Sequence, residues 1–281
     1  MSFAFHQPDS LAGAIGLAHE HGDAARFIAG GTDLVIQMRR GRSAPQHLIS
    51  LAGLGLDGIR HDTSGFTIGA TTTHNAVVFH AAFQTGLRAL AEASAVVGGR
   101  QIRNVATVGG NIVNASPAAD LVPVLLTLDA SVALAGHGGT RRLPLDGFLL
   151  DRGRTARAAD EVLTAVHFDD PGTASATAFL KGGRRKAMEI SVVCVAARLS
   201  GPRDGGYATV RIALGAAAAR SVRVPPAEAC VAGGGSFAEA GRLAADAAAP
   251  IDDVRASARY RRLLVAALVE RALTRCRERL P

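Results

Sequence analysis

The sequence predicts an α+β protein with two domains, and three observations support this fold class. The chain has 281 residues, of which 48% are hydrophobic and 20% charged, enough for two hydrophobic cores. Its beginning alternates short apolar runs with amphipathic helical stretches in the order β-α-β-α-β. After Pro171-Gly172 the chain changes to longer β-rich runs followed by helices, typical of an antiparallel sheet covered by helices on one side.

The first domain is predicted to span residues 1–172, in two subdomains, about 1–53 and 54–172. In the first subdomain, one helix runs from the N-cap Ser10 to Gly22. A second helix runs from Thr32, as its N-cap, to about Arg40, where Gly41 ends it. The strands predicted around these helices are the run before Pro8, Arg26–Ala29 and His47–Leu51.

The second subdomain mixes short antiparallel strands with helices. Its predicted strands are GIRHD and GFTIGA, the two runs on either side of Gly136–Gly139, and DEVLTAVHF. Its predicted helices are His74–Phe83, Leu87–Val97 and Ser116–Leu128, the last with Ser116 as N-cap and Pro117 as its first residue.

The second domain is predicted to span residues 173–281. The strands expected here are Thr177–Lys181, Ile190–Ser200 and Ala208–Ala217, with turns at Gly182-Gly183 and Gly201–Gly206. The chain ends in two helices, about Ser236–Ala248 and Tyr260–Arg279.

The segment RQIRNVATVGGNIVNASPAAD, residues 100–120, predicts an anion-binding site. At Gly109-Gly110 the backbone can take positive φ and approach a ligand closely, so that consecutive N–H groups point at one anion. Short polar side chains surround this pair, and the predicted helix after Ser116 adds favourable potential for a negative charge. By itself, a Gly-Gly pair with nearby hydroxyl groups is more often an ordinary tight turn.

A second glycine pair favours the ligand-binding interpretation. Gly30-Gly31 follows an apolar run and precedes a helix, as Gly109-Gly110 does, so we expect two loops that clamp one ligand. The cluster Thr71-Thr72-Thr73-His74 leaves two readings open: ligand contact through the hydroxyl groups, or an N-cap for the following helix.

Several function classes lack their signatures. There is no GxGxxG after a strand, no GxxxxGK[ST], and no nucleophile–base motif, so redox chemistry would require a cofactor and no catalytic residue is predicted. Cysteine and histidine spacings fit no metal site, and we expect exposed histidines at the N-terminus and buried thiols at Cys194, Cys230 and Cys276. The net charge of +7 is dispersed and Trp is absent, which argues against nucleic acid. With no membrane span or signal peptide in the sequence, we expect a cytoplasmic protein.

Four segments resemble one family. IAGGTDL at Ile28–Leu34 and IRNVATVGGNIVNASPAADL at Ile102–Leu121 are similar to the two FAD-binding motifs of the flavoprotein subunit of the molybdenum hydroxylases. FLKGGRRKAMEISVVCVAARL at Phe179–Leu199 and DDVRASARYRRLLVAALVERAL at Asp252–Leu273 resemble that family's C-terminal domain. The family includes xanthine dehydrogenase and aerobic carbon monoxide dehydrogenase. The resemblance implies an FAD-binding domain of the p-cresol methylhydroxylase and vanillyl-alcohol oxidase type, followed by a carbon monoxide dehydrogenase flavoprotein C-terminal domain.

The resemblance also implies roles for individual residues. Those that match the first pyrophosphate-binding loop are Ala29, Gly30, Gly31, Thr32, Asp33, Leu34, Val35 and Ile36, and those that match the second are Thr107, Val108, Gly109, Gly110 and Asn111. Asp120 matches an acidic residue near the adenosine end, Leu163 an apolar contact to the isoalloxazine, and Lys181 a lysine near the flavin's polar edge.

The function implied by the resemblance is electron transfer. The chain would carry noncovalent FAD, while a large partner carries molybdopterin and a small partner carries two iron–sulfur clusters, in a probable dimer of heterotrimers. Two alternatives stay open at this point. One is a self-sufficient FAD-dependent oxidoreductase, and the other is a nonenzymatic nucleotide-binding module.

Overall fold

A parallel three-stranded sheet begins the chain in the computed structural model, which describes residues 2–185, 188–202, 204 and 206–281. The first elements are β1 (Ala4–His6), α1 (Leu11–His21), β2 (Ala25–Ile28), α2 (Leu34–Arg39) and β3 (His47–Ser50). The strand order is β1-β3-β2. The predicted β-α-β-α-β pattern is confirmed, as is the N-cap Ser10, whose hydroxyl accepts a hydrogen bond from the N–H of Gly13.

The predicted N-cap of α2, Thr32, is wrong by one residue. The helix begins at Leu34, and Asp33 occupies the N-cap position without a side-chain hydrogen bond to the helix. Gly31 has φ of +68°, and its carbonyl accepts from the N–H of Val35. The chain therefore still turns at residues 31–33, and Thr32 belongs to the loop.

A five-stranded antiparallel sheet forms the centre of the first domain. Its strands are β4 (Ile59–Asp62), β5 (Gly65–Gly69), β6 (Ser131–Gly136), β7 (Gly139–Pro144) and β10 (Val162–Phe168), and their order is β4-β5-β10-β6-β7. The small ribbon β8 (Leu149–Asp151) and β9 (Arg154–Thr155) stands beside it. The helices of this region are α3 (His74–Phe79), α4 (Arg88–Ala95), α5 (Arg100–Arg103), α6 (Val108–Val113), α7 (Leu121–Thr127) and α8 (Leu145–Phe148). Two short 3₁₀ turns complete the domain, Gly22–Ala24 and Ala81–Phe83.

The segment with the second glycine pair differs from its prediction in two ways. Gly109 and Gly110 lie in the first turn of α6, and neither has positive φ, because Thr107 caps this helix by accepting from the N–H of Gly110. The helix predicted from Ser116 begins only at Leu121. Ser116 instead begins a separate turn. Its hydroxyl accepts a hydrogen bond from the N–H of Ala118, and its carbonyl accepts one from the N–H of Ala119.

The second domain is built on a four-stranded antiparallel sheet. Its strands are β11 (Ser175–Gly182), β12 (Val193–Ser200), β13 (Thr209–Gly215) and β14 (Val222–Arg223), in that order. The helices α9 (Pro225–Ala232), α10 (Phe237–Ala247) and α11 (Ala258–Arg279) follow. The antiparallel sheet and the two terminal helices are confirmed. The turn predicted at Gly201–Gly206 includes Arg203 and Gly205, which lie outside the described residues.

Helices cover both faces of this second sheet, whereas one covered face was predicted. On one face, α9, α10 and α11 bury a core of small and branched side chains. On the other face, α4 and α7 of the first domain pack against β11, β12 and β13. Phe179, Cys194, Ala196 and Ala213 consequently belong to the same hydrophobic cluster as the first domain's core. The division of the chain at residue 172 stays a prediction.

Two further expectations can be compared with the structure. Cys194 and Cys276 are buried thiols, but Cys230 is only partly buried. Within the described ranges, no helix is long and apolar enough to cross a membrane.

Candidate functional site

A cavity of about 590 Å³ opens where the carboxyl end of β2 meets α6. This size lies within the range typical of small-molecule and cofactor sites. The residues proposed from the sequence that line it are Ala29, Gly30, Gly31, Thr32, Asp33, Leu34, Thr107, Gly109, Gly110, Asn111 and Leu163. The structure thus brings both glycine segments and the β10 residue Leu163 to one space, although they are far apart in the chain.

Close backbone contacts at two glycines allow the segments to meet. A Cβ on Gly30 would lie 1.9 Å from the carbonyl oxygen of Val105, and a Cβ on Gly109 would lie 2.8 Å from the carbonyl oxygen of Ala70. Real Cβ contacts this short are essentially never seen, so no other residue fits at either place without a shift of the backbone. In the second glycine pair, Gly109 is therefore needed for close packing rather than for positive φ.

The two segments differ in the hydrogen-bonding groups that they can offer a ligand. In the first turn of α6, the N–H groups of Val108 and Gly109 donate to the carbonyls of Thr72 and Ala70. Within the part of the chain that the structure describes, no protein acceptor is found for the N–H groups of Gly30, Gly31 and Thr32. Since buried or ligand-facing N–H groups require partners, the first loop is the better candidate for binding a phosphate group.

Two buried polar atoms in the cavity wall lack partners among the described residues. They are Oδ1 of Asn111 and Nε2 of His74, and both residues line the cavity. An unsatisfied buried polar atom costs roughly 1–3 kcal/mol, and a bound ligand with hydrogen-bonding groups removes that cost. The cavity wall is therefore suited to a polar, extended ligand.

His74 is a functional candidate that the sequence signalled only through the Thr71–His74 cluster. Its side chain is fully buried, and its Nδ1 lies 3.3 Å from the hydroxyl of Ser94. Burial, with the nearby Arg103, lowers the pKa of His74 to about 4. The imidazole is thus neutral near pH 7, with one nitrogen still unpaired.

The N-cap reading of the Thr71–His74 cluster is confirmed, whereas ligand contact through its hydroxyl groups stays a prediction. Thr73 is the N-cap of α3, since its hydroxyl accepts from the N–H of Ala76. Thr71 lines the cavity, whereas the hydroxyl of Thr72 donates to the carbonyl of Gly58.

Charged groups of both signs border the cavity. Burial lowers the pKa of the Arg157 guanidinium and raises that of the Asp33 carboxyl above its usual range. Arg157 donates to the carbonyls of residues 158, 159 and 161, while Arg26 donates to the carbonyls of residues 23 and 25. Both guanidinium groups are therefore held at the wall by backbone carbonyls and keep their positive charge close to the cavity.

Asp120 and Lys181 contact each other instead of lining the cavity. Nζ of Lys181 lies 2.7 Å from Oδ2 of Asp120, and the hydroxyl of Ser191 donates to Oδ1 at 2.5 Å. Burial raises the pKa of Asp120, and the charge of Lys181 opposes that rise. The Lys181 ammonium also donates to the carbonyl of Val96, and the next residue, Val97, is part of the cavity wall.

Three other predicted site residues lie away from the cavity. Val35 and Ile36 are partly exposed on α2, and Val108 is fully buried in the core. Sequence reasoning did not assign several residues that line it, namely Arg26, Gln37, Ser43, His74, Ile102, Asn114 and Arg157. Gln37 and Asn114 are joined by a 3.2 Å hydrogen bond between their amide groups, which links α2 to the end of α6.

The residues of the cavity fit FAD on three grounds. The open N–H groups of the first loop suit a pyrophosphate, and the unpaired atoms of Asn111 and His74 suit polar groups of a nucleotide. Leu163 supplies a buried apolar surface at an irregularity of β10, between Leu163 and Ala165, where strands commonly redirect a side chain.

Comparison with known proteins also indicates an FAD-binding protein, and the matches cover nearly the whole chain. Residues 1–169 match the family described as FAD binding domain in molybdopterin dehydrogenase, and residues 178–276 match the CO dehydrogenase flavoprotein C-terminal domain.

Relatives with described functions are similar at the level of sequence and of structure. The nicotinate dehydrogenase FAD-subunit of Eubacterium barkeri is 40% identical over 196 residues, which cover 68% of this chain and 66% of that protein. The carbon monoxide dehydrogenase medium chain of Hydrogenophaga pseudoflava is 31% identical over 277 residues, 96% of each chain. A crystal structure of carbon monoxide dehydrogenase from that organism, lacking the Mo-pyranopterin moiety, superposes with a TM-score of 0.95 at 30% identity, covering 100% of this chain and 99% of the other.

The family resemblance, the two-domain fold and FAD as the cofactor are thereby confirmed. The chain belongs to the family of FAD-binding subunits of the molybdopterin dehydrogenases.

Proposed function

We propose that this chain holds one noncovalent FAD in the cavity between its two glycine segments and carries electrons from an iron–sulfur subunit to an acceptor. The observation that carries the proposal is the meeting of the open N–H groups of Gly30–Thr32 with Asn111 and Leu163 in a single cavity. FAD supplies the redox chemistry when it is bound, and the protein supplies binding and orientation.

Each part of the site has a proposed task. The loop Ala29–Leu34 binds the pyrophosphate through backbone N–H groups, and Arg26 and Arg157 add positive potential at the wall. The α6 segment and Leu163 orient the rest of the cofactor. Val35, Ile36 and Val108 support these segments from outside the cavity.

For Asp120 and Lys181 we propose a positioning role behind the wall. Their ion pair joins the start of α7 to β11, and Lys181 also holds the carbonyl of Val96 next to the cavity-lining Val97. Movement of either side chain would therefore displace the cavity wall at Val97, although neither side chain contacts the ligand itself.

The partners we propose are a large molybdopterin-binding subunit and a small subunit with two iron–sulfur clusters, in a dimer of heterotrimers. The names of the relatives support an assembly of several subunits, since they are called medium chains, FAD-subunits, or a subunit of a dehydrogenase complex. The three free cysteines suit the reducing cytoplasm, which we propose as the location of the complex. We propose no nucleic-acid partner.

Experiments on the isolated chain can distinguish this function from the two alternatives. We expect FAD to be released by acid, to be reduced by dithionite and to be reoxidised by artificial acceptors. Anaerobic addition of carbon monoxide, xanthine or nicotinate should leave the absorbance of the oxidised flavin unchanged. Bleaching by one of these substrates would identify a self-sufficient oxidoreductase, and failure to retain any flavin would favour a nucleotide-binding module.

The assembled complex provides the complementary measurement. When the chain is co-expressed with the large and small subunits encoded beside it, the three should copurify. The flavin should then bleach on anaerobic addition of the substrate that the complex oxidises. A flavin that stays oxidised while the complex turns over substrate would contradict the proposed relay.

A further inference from the structure

Three histidines from separate elements meet beside the first sheet. His6 ends β1, His21 ends α1 and His47 begins β3. One ring nitrogen from each lies within 4.8 Å of one nitrogen from each of the others, and all three residues are partly buried. Nε2 of His6 and Nδ1 of His47 are within hydrogen-bonding distance, 3.0 Å apart.

The strand register explains why two of these histidines share a face. β1 and β3 are parallel, with Ala4 opposite His47 and His6 opposite Ile49. Alternate residues of a strand point to the same side, so His6 and His47 lie on one face and are diagonal neighbours.

The helix α1 brings the third imidazole to the same place. Ile49 is buried against Ala14, Ile15 and Ala18 of α1, so the helix packs on the face that carries His6 and His47. At the end of the helix the ring of His21 stacks on that of His47, with centroids 3.7 Å apart and an angle of 8° between the planes.

This arrangement offers what a divalent transition metal requires from a protein. The neutral imidazole is the commonest metal ligand, and three imidazoles that leave one position open to water form a known type of zinc site. Zinc–nitrogen bonds of about 2.0–2.1 Å place the nitrogens of a tetrahedral site roughly 3.3 Å apart. The His6–His47 nitrogens, 3.0 Å apart, are close to that spacing, whereas the ring of His21 must rotate out of its stack on His47 to direct a nitrogen at the same ion.

We propose that His6, His21 and His47 bind one divalent transition-metal ion, with zinc as the principal candidate, and that the ion joins β1, α1 and β3. The site is separate from the cofactor cavity, because none of the three histidines lines that cavity. His47 begins β3, whereas Gly30 and Gly31 follow the end of β2, which runs parallel to β3 with Ala25 opposite His47. Metal binding therefore affects the stability of the first subdomain and leaves the composition of the cofactor site unchanged.

The test uses the full chain with FAD bound, freed of metal by a chelator and titrated with Zn²⁺ or Co²⁺. We expect one molar equivalent of Co²⁺ to give the visible absorption of a low-symmetry, nitrogen-ligated ion. Zn²⁺ should bind with the same stoichiometry by calorimetry and raise the melting temperature. His21→Ala should weaken binding by more than about tenfold, since loss of a ligand exceeds the loss of a supporting hydrogen bond.

The matched control is His19→Ala on the same helix. His19 is exposed and stacks on His137 in a separate pair. This variant should bind Zn²⁺ as the unchanged chain does, and the flavin content and circular dichroism of both variants show whether they are folded. His47→Gln provides a second ligand variant if His21→Ala does not fold. Binding of less than one equivalent, or equal affinity in the His19 and His21 variants, would show an adventitious ion only and overturn the proposal.

Discussion

Gly30 packs directly against the carbonyl group of Val105. A Cβ on Gly30 would lie 1.9 Å from the Val105 oxygen and 2.6 Å from its carbon. The first loop and the segment that leads into α6 can approach this closely only while residue 30 has no side chain. The shape of the cavity therefore depends on the absence of a side chain at Gly30.

Gly30→Ala should abolish retention of FAD. The methyl group separates the two segments and costs about 1–3 kcal/mol through overpacking, because its nearest neighbours are backbone atoms. The measurement is the amount of FAD released by acid per mole of purified protein, with circular dichroism as a check of folding. Gly138→Ala is the control, since a Cβ there meets nothing within 4 Å. Equal loss of flavin in both variants would argue against the contact as the cause.

Thr107→Ala should weaken both the fold and the binding of FAD. Thr107 caps α6 and lines the cavity, whereas Ser236 caps α10 in the second domain through the same kind of bond. Loss of either cap should lower the free energy of unfolding by about 1 kcal/mol. Urea denaturation measures that loss, and equilibrium titration of the apoprotein measures the FAD affinity. Only Thr107→Ala should lower the affinity, and an equal decrease in Ser236→Ala would show a general effect of stability.

Lys181→Met should lower the stability of the whole chain. It leaves the buried carboxylate of Asp120 without its ion-pair partner, a change that typically costs 3–5 kcal/mol by order of magnitude. Burial already raises the pKa of Asp120, and removal of Lys181 raises it further. The folded variant then takes up a proton more readily than the unfolded chain. The variant should therefore be less stable than the unchanged chain by the largest amount at neutral pH. This difference in the free energy of unfolding should shrink as the pH falls through the raised pKa of Asp120.

The double variant Lys181→Met with Asp120→Asn is the control for this assignment. It removes the uncompensated charge and should regain much of the stability at neutral pH, as measured by urea denaturation. If the double variant is no more stable than Lys181→Met, the ion pair is not the source of the effect.

His74 should make the chain less stable in mild acid. Burial lowers its pKa from 6.5 to about 4 in the folded protein, so the unfolded chain binds a proton more readily between these values. The stability that this group contributes is complete above pH 6.5 and is lost as the pH falls towards 4, by about 3 kcal/mol at most. His74→Gln should lose less stability than the unchanged chain over that interval. If the stabilities of the two proteins depend on pH in the same way, the buried imidazole of His74 is not the cause of the loss in acid.

The sequence was a good guide to the elements and to the family, because both depend on local patterns. The N-cap Ser10, the helix predicted at about Ser236–Ala248 and the antiparallel order of β11 to β13 follow from short-range signals. At Gly109, short-range sequence signals were not sufficient to predict the structure. A glycine pair indicates close approach of backbones, but only the structure shows that the approaching group is Ala70 and that the pair lies in a helix.

Residues brought together by long-range packing could not be inferred in the same way. His74 lies beside the second glycine segment because Thr73 pairs with Thr107 and the N–H of His74 donates to the carbonyl of Ala106. The unpaired Nε2 of His74 has no signature in the sequence. The histidines at positions 6, 21 and 47 have no regular spacing, so the sequence predicted no metal site there. For Asp120 and Lys181, 61 residues apart, family resemblance suggested two separate ligand contacts, whereas the structure pairs them with each other.

The two-sided covering of the C-terminal sheet has a consequence for synthesis of the chain. The helices α4 and α7 are made well before β11, β12 and β13, against which they pack. While the ribosome is still translating the second half, the apolar faces of these helices lack their final neighbours, and transiently exposed surface of this kind promotes aggregation. We therefore expect a chain truncated near residue 172 to expose these helix faces and to aggregate more readily than the full chain.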